Sequence, residues 1–303
     1  MRALVTGASG FIARHLMTEL GRQGWKVIGA TRFPQEGNIG PHVVLGPAPW
    51  TTARLAEVLA EARPDVVFHM AGLLQASAID LFEVNTLTAV RWFEALDLVG
   101  ARPLTVLAGS AAEYGPVDSS CLPVRETQPC EPVTAYGISK LAQTLVGSAR
   151  ARAGQRVLMT RIFNPVGIGM PRTLALASFA HQISALPARG GTLQVGNLDM
   201  ARDFIDVREA ARLVVALASR PDSFGKVYNI CSGRAYVLRS LLGQMIRASG
   251  RQVTVTVDAA RLRPGDAPEF FGSTERLRAA GLQPRAPDFG RLLPELLDAA
   301  AAE

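Results

Sequence analysis

The sequence predicts a doubly wound α/β fold with a smaller C-terminal lobe, and three observations carry that expectation. Strand-like apolar runs alternate with helical patterns across residues 1–166. The first of those runs, Ala3-Leu4-Val5, ends in a glycine turn that opens a helical segment. Beyond Gly167 the alternation loosens, and Pro/Gly-rich connections appear at residues 186–191 and 263–268. Alternation of strand and helix builds a parallel sheet covered on both faces. A chain of 303 residues also exceeds what one small core needs, so a large domain and a second lobe are expected.

Residues 3–6 form the first strand and residues 11–23 the first helix. Between them the chain reads T-G-A-S-G-F-I-A from Thr6 to Ala13. Gly7 allows a sharp turn, Gly10 lets backbone approach a pyrophosphate, and Ala13 is small enough to pack the helix on its strand. A pyrophosphate would rest on the helix N-terminus, where free N–H groups and the dipole favour anions. Strand, glycine turn and helix is the context of a dinucleotide fingerprint, although any tight strand-to-helix turn wants similar glycines. The second strand, residues 26–30, is followed by Thr31-Arg32, and the next acid is Glu36. An NAD site commonly has an acid about 20 positions past the glycines, on the ribose 2′-hydroxyl. Here a guanidinium stands where it would bind a 2′-phosphate, so Arg32 favours NADP(H). Further strands are expected at residues 42–45, 66–70, 104–108 and 157–162, with helices at 51–62 and 82–99. Ser110 ends the fifth strand, on the edge where ligands gather in such sheets.

Tyr136-Gly137-Ile138-Ser139-Lys140 puts a phenol and an amine four positions apart in a helical segment. Ile138, Leu141, Ala142, Leu145, Val146 and Ala149 form its apolar stripe. Residues four apart stack on one helix face, so the hydroxyl and the ammonium can lie side by side. A phenol ordinarily ionises near pH ~10, and a nearby positive charge lowers that value. So tuned, Tyr136 could exchange a proton with a carbonyl or alcohol oxygen near neutral pH.

In the second part of the chain, short strands are expected at residues 193–195 and 253–257. Residues 227–230 return to the main sheet, and residues 292–302 form a terminal helix. The expected division is a dinucleotide-binding domain of residues 1–166 plus 225–235, and a substrate lobe of residues 167–224 and 236–303.

Taken together these motifs resemble the extended short-chain dehydrogenases/reductases that act on nucleotide sugars, a family with a Rossmann-type domain. The resemblance runs nearly end to end. It covers T-G-x-x-G-F-x-A, His69-Met70-Ala71-Gly72, Asn85, Ser110 with Tyr114-Gly115, and the Tyr136/Lys140 pair. It continues through Arg161-Ile162-Phe163-Asn164-Pro165, Arg202-Asp203-Phe204 and Val227-Tyr228-Asn229-Ile230. It implies an NADP(H) cofactor held by Gly7, Ser9, Gly10, Phe11, Ile12, Arg32, Ala71, Gly72, Tyr136, Lys140 and Phe163. Leu45-Gly46-Pro47 lacks the aspartate that relatives often place after the third strand to meet the adenine. The resemblance further implies Ser110 as a hydrogen-bond partner of the reacting oxygen and Tyr136 as its proton donor. Lys140 would tune Tyr136 and hold the cofactor ribose. Asn85 matches a family asparagine, in a structural or a water-relay role.

Absent residues shape the expected reaction. Dehydratases of this family need an acid–base pair, Asp and Glu, directly after the Ser/Thr; this chain has Ala111 and Ala112 there, with Glu113 displaced by one place. Epimerase-reductases need a cysteine two residues past the serine, where Ala112 stands, and a histidine that His181 does not match. Plain hydride transfer to a ketone is what remains. Nucleotide-sugar 4-epimerases share the Ser/Tyr/Lys set and are an alternative. Gly196-Asn197-Leu198-Asp199 followed by Arg202-Asp203 looks like the GDP-mannose branch. That likeness implies Val195 at the nucleobase, Arg202 and Arg263 at the diphosphate, and Asn164 on a phosphate or sugar hydroxyl. The expected reaction is NADPH-dependent reduction of the 4-keto group of a nucleotide-linked 6-deoxy sugar, GDP-4-dehydro-6-deoxy-D-mannose to GDP-D-rhamnose. A ketoreductase for another dTDP- or GDP-deoxysugar is the alternative within the class. A non-catalytic NADP-sensing protein is the alternative outside it, and the Tyr/Lys pair counts against it.

Composition excludes other classes. The net charge is +6, yet the arginines are scattered and no basic–aromatic run suggests nucleic acid. A positive field still favours capture of a diphosphate. No apolar run nears ~18–20 residues, which argues against a membrane span. The first residues already read as a strand, which leaves no room for a signal peptide. Cys121, Cys130 and Cys231 are odd in number and lack metal or redox spacing, the pattern of reduced cytoplasmic thiols. His15, His42, His69 and His181 form no ligand pair at helical spacing, so no metal is expected. The resemblance implies a homodimer through the helices bearing Asn85 and Tyr136. Phe82, Leu87, Val90, Trp92, Phe93 and Leu96 make the former apolar on more than one face.

Overall fold

The computed structural model describes residues 1–34, 40–261 and 267–302. Glu36 and Arg263, both named above, lie outside the described residues. The first half runs β1 (Arg2–Thr6), α1 (Phe11–Arg22), β2 (Lys26–Thr31), β3 (His42–Val44), α2 (Thr52–Ala62), β4 (Val66–His69), α3 (Ala78–Leu81), α4 (Thr88–Leu98), β5 (Leu104–Ser110), α5 (Ala135–Arg152) and β6 (Val157–Ile162). A π-helical turn, Phe82–Leu87, joins α3 to α4. The second half runs β7 (Pro165–Val166), α6 (Ala175–Ala185), β8 (Gly191–Val195), β9 (Ala201–Asp203), β10 (Ile205–Asp206), α7 (Val207–Ala218) and β11 (Val227–Ile230). It closes with β12 (Ala235–Val237), α8 (Leu238–Ser249), β13 (Val253–Val257), β14 (Glu269–Phe270), α9 (Glu275–Ala279) and α10 (Phe289–Ala301).

One sheet has the order β11-β6-β5-β4-β1-β2-β3, and every pairing in it is parallel. The chain winds one way from β1 to β3 and the other way from β4 to β11. The winding therefore reverses between β1 and β4, where a crevice opens at the strand C-termini. β4 and β6 are buried along their whole length, and β5 up to Ser110. Such continuous burial is what helices on both faces require. On one face α1 and α7 bring Leu16, Leu20, Leu213 and Val214 against Val5, Phe68 and Val106. On the other, α2 and α4 bring Leu55, Leu59, Trp92 and Phe93 against Leu4, Val67 and Leu107. Thr51 and Thr134 start α2 and α5 by accepting the backbone N–H groups of Arg54 and Gly137.

A separate core lies among α6, α8 and α10 and the β8–β13 pair, with Leu176, Phe179, Leu193, Val195, Leu241, Met245 and Leu292. Phe11 of α1 packs against that core. Asp203 at the end of β9 ties this region to the main sheet. Its Oδ1 accepts the Ser232 N–H at 2.8 Å and the Ser232 hydroxyl at 2.7 Å. Its Oδ2 accepts the N–H groups of Gly233 at 2.9 Å and Gly272 at 3.2 Å.

Two expectations need correction. Residues 207–218 fall inside the expected lobe, yet α7 packs its buried face on α1 and the main sheet. Its apolar spacing shows only that one face is covered, not by what. The apolar stripe expected for the Tyr136 helix is not its core face. The buried residues of α5 are Gly137, Ser139, Lys140, Gln143, Thr144 and Gly147, while Ile138 and Leu145 are exposed. Small residues take the inner face because the sheet comes close: a Cβ on Gly147 would lie 2.5 Å from Leu107 Cδ1.

Candidate active site

The crevice between β1 and β4 is built around Gly7. Its φ is +64°, and a Cβ there would lie 2.8 Å from Ala71 Cα. Only glycine lets the exit of β1 approach the exit of β4 this closely. Gly10 donates its N–H to the Gly7 carbonyl at 2.7 Å and opens α1 with no side-chain cap. Ser9 and Gly10 are exposed. The first turn of α1 thus offers backbone N–H groups to an anion, and this cradle fits a dinucleotide diphosphate. Phe11 and Ile12 are half-buried against the two cores, so what they offer a ligand is backbone. Arg32 is exposed directly after β2, with its guanidinium 5.9 Å from the Phe33 ring centre. It stands at the strand end where a ribose 2′-substituent would be read.

The exit of β4 is held from beneath. Thr6 Oγ1 meets His69 Nδ1 at 3.0 Å and accepts the Ala71 N–H at 3.2 Å. Burial, with a smaller push from the Lys140 charge, holds the His69 pKa down to about 3, so the ring is neutral. Gly72 is exposed, and a Cβ on it would lie 3.1 Å from both Lys140 Nζ and Asn85 Oδ1. Asn85 is wholly buried in the π-helical turn. It accepts the Leu73 N–H at 2.8 Å and donates to the Leu73 carbonyl and Ser139 Oγ, each at 3.0 Å. Of the two roles expected for Asn85, this geometry supports the structural one: it clamps the Gly72 loop to α5.

β5 delivers Ser110 to the same edge. Ser110 Oγ accepts the Ala112 N–H at 3.2 Å, and the Ser110 N–H donates to Glu113 Oε1 at 2.8 Å. This reciprocal pair stiffens the turn that follows. Glu113 has no exposed surface, and its Oε2 accepts Arg161 Nε at 2.9 Å. The Arg161 guanidinium in turn lies 4.5 Å from the Tyr114 ring centre. Glu113 therefore faces away from the cleft and buttresses Ser110.

Tyr136 and Ser110 come together at this edge, close enough for the Ser110 hydroxyl to act on the phenol. Part of the Tyr136 surface is open, but protein crowds the ring. Burial pushes its pKa up, the Ser110 hydroxyl opposes this, and the Glu113 charge adds to the rise. The expected lowering by Lys140 is not found. Lys140 points its ammonium at the Ala108 carbonyl, 2.8 Å away, and at Gln143 Oε1, 3.0 Å away. Tyr136 is thus neutral at ordinary pH, the form that can donate a proton. Lys140 is almost wholly buried, and desolvation brings its pKa down to about 8 against an opposing pull from Glu113.

The substrate-side expectations divide. Asn164 is exposed and donates from Nδ2 to the Asp203 carbonyl at 2.7 Å. Arg202 is half-buried, with Nη1 on the carbonyls of Ala201 at 2.9 Å and Ala267 at 2.8 Å. Val195 is wholly buried in the second core, so its side chain lines no open slot. Phe163 is also wholly buried, stacked on Phe270 at 5.5 Å and beside Tyr114. Its side chain supports the Ser110 turn from below and cannot reach a cofactor. Gln143, Arg161 and the Thr6–His69 contact had no role assigned from sequence. Only Gln143 carried a local signal, three positions after Lys140 on one helix face.

Residues 3–231 match the NAD dependent epimerase/dehydratase family. The chain belongs to this family. Membership and the assembled Ser110–Tyr136–Lys140 set make it an NAD(P)-dependent oxidoreductase. It is 30% identical over 286 residues to GDP-6-deoxy-D-mannose reductase of Pseudomonas aeruginosa, across 91% of this chain and 89% of that protein. It is 31% identical over 262 residues to dTDP-6-deoxy-L-talose 4-dehydrogenase (NAD(P)(+)) of Kitasatospora kifunensis, across 84% of this chain and 81% of that protein. The structure of RMD from Pseudomonas aeruginosa complexed with NADPH is similar at a TM-score of 0.81, with 27% identity over 99% of both chains. Among the described residues, no helix is long and apolar enough to cross a membrane.

Proposed function

We propose that this protein is an NADPH-dependent 4-ketoreductase of a nucleotide-linked 6-deoxy sugar, with GDP-4-dehydro-6-deoxy-D-mannose as substrate and GDP-D-rhamnose as product. The observation that carries this reading is the meeting of Ser110 and Tyr136 without the acid–base pair of a dehydratase after Ser110. Ala111 and Ala112 stand where a dehydratase pair would be, and Glu113 is spent on Ser110 and Arg161. The reductase and the dehydrogenase similar to this chain act on 6-deoxyhexoses, as their names state. Arg32 and the NADPH of the solved relative support NADP(H) as the cofactor.

Gly7, Ser9, Gly10 and Gly72 would hold the dinucleotide, with Arg32 on its 2′-phosphate. The bound nicotinamide supplies a hydride. Ser110 donates a hydrogen bond to the ketone oxygen and orients it toward Tyr136. Tyr136, kept protonated by burial, gives its proton to that oxygen as charge develops. Lys140 would hold the cofactor ribose from its seat on the Ala108 carbonyl and Gln143. Asn164 and Arg202 are the described candidates for sugar and diphosphate contacts, and bidentate guanidinium geometry suits phosphate oxygens. We also place the enzyme in the cytoplasm, which three free cysteines suit, and read it as a homodimer through α4 and α5.

The test is NADPH oxidation with GDP- and dTDP-4-keto-6-deoxyhexose, the product's C4 configuration being read by NMR. GDP-D-rhamnose is the expected product, and NADH should be the poorer donor. Failure with both sugars, or equal use of NADH, overturns the respective assignment. Epimerisation without net NADPH oxidation would mark a 4-epimerase instead. Tyr136→Phe should cost ~10²–10⁴-fold in kcat, with NADPH binding retained in a fluorescence titration.

A further inference from the structure

We infer that Gln143 is the positioning residue of this site: it fixes the Lys140 ammonium beside the Gly72 opening and holds it in its protonated form. The inference rests on the reading of Lys140 given above. An ammonium has three N–H donors and no acceptor. In Lys140 one meets the Ala108 carbonyl at 2.8 Å and another meets Gln143 Oε1 at 3.0 Å. The amide of Gln143 is oriented by its own Nε2, which donates to the same Ala108 carbonyl at 3.2 Å. Gln143 has no exposed surface, so no water competes for its oxygen. This triangle ties α5 to β5 two residues before Ser110.

The remaining N–H of Lys140 lies toward the exposed side of the site. A Cβ on Gly72 would come within 3.1 Å of Nζ, and Gly72 itself borders the cleft. Glycine at this position leaves the ammonium reachable by a ribose hydroxyl. Gln143 and Ala108 are therefore a seat, and the third donor is what the seat presents. Methionine at 143 would keep the volume and remove the acceptor, leaving the buried charge with one partner fewer. A buried ammonium short of acceptors sheds its proton more readily. Two titratable groups from neighbouring elements face Lys140. Glu113, in the turn after β5, favours its charge, and His69 at the end of β4 is neutral. On its own helix Tyr136 lies one turn earlier.

The chain has three lysines, Lys26, Lys140 and Lys226, so a ¹³Cε-lysine NMR titration resolves each one, with Lys140→Arg as the assignment control. In the wild-type protein without cofactor the Lys140 midpoint is expected at about 8. Gln143→Met should move it down by about one unit and Gln143→Glu should move it up, because partner loss and partner charge act in opposite senses. Lys26 and Lys226 should not move. The high-pH limb of kcat for NADPH-dependent turnover should shift in the same directions, while KM for the sugar stays constant. Equal Lys140 midpoints in all three proteins, each with a cooperative melt, overturn the positioning role. The NMR arm needs no substrate. If no tested sugar is turned over but the midpoints move, the seat stands and the proposed reaction falls. If turnover is as proposed and the midpoints do not move, the reverse holds.

Discussion

Glu113 acts from below the cleft. Its two oxygens are divided between the Ser110 N–H and the Arg161 guanidinium, and the Arg161 side chain is almost wholly buried. Glu113→Gln should destabilise the protein by ~3–5 kcal/mol, because it leaves Arg161 charged and uncompensated in the interior. Urea unfolding reads this directly as a lower midpoint. Turnover should fall as well, since the Ser110 turn loses one half of its reciprocal bond. The double variant Glu113→Gln with Arg161→Met should recover part of the lost stability, because removing both charges removes the uncompensated one. A single variant as stable as the wild type would sink the account. At this scale the sequence was readable where a residue's chemistry is its role. Ser110, Tyr136, Lys140 and Gly7 fall into this group as far as their placement at one sheet edge goes. It misled where burial decides. Phe163 and Val195 sit in motifs that suggest ligand contact but point into cores, and the Tyr136 pKa rises because desolvation outweighs the Ser110 hydroxyl while Lys140 is turned elsewhere.

Helix α5 shows why periodicity alone misplaces a face. Its apolar stripe is real, yet the inner face belongs to Lys140, Gln143 and small residues that meet the sheet. Amphipathic spacing reports that a stripe is covered by something, and the sequence does not say whether the cover is the same chain. Ile138 is 42% and Leu145 57% exposed on α5, and Ile79 is 80% and Leu87 41% exposed on the adjoining α3–α4 segment. Large apolar side chains left in the open on these helices are what the proposed homodimer would cover. A second copy meeting both helices would cover them and would press on the outer side of the helix that carries Tyr136 and Lys140. Leu145→Glu should convert a dimer to a monomer in sedimentation equilibrium with the circular dichroism spectrum retained. A wild-type protein that sediments as a monomer at tens of micromolar refutes the homodimer.

On the scale of the whole molecule, the alternation of strands and helices made the parallel sheet legible, and with it the edge on which the site is found. The return of residues 227–230 to that sheet was expected too, and there β11 pairs with β6. What was not legible is which layer each later helix joins. α7 follows a lobe segment in sequence and packs against α1 in space, because a helix chooses its cover by shape after the sheet exists. The glycine turn, Arg32 and Ser110 come from three strand ends far apart in sequence, and only the winding order places them around one crevice.

The carboxylate of Asp203 gathers three backbone amides from two distant segments: Ser232 and Gly233 just after β11, and Gly272 after β14. Those amides share one acceptor group, so they can open to solvent only when that group lets go. Native-state hydrogen exchange should therefore find Ser232, Gly233 and Gly272 leaving protection together, with one common opening free energy despite a separation of some forty residues. Asp203→Asn, which exchanges one acceptor oxygen for a donor, should accelerate all three in concert and leave the amides of β4 and β5 untouched. Independent rates for the three amides in the wild type would mean that the lobe and the sheet breathe separately, and that the cleft between them has no common fastening.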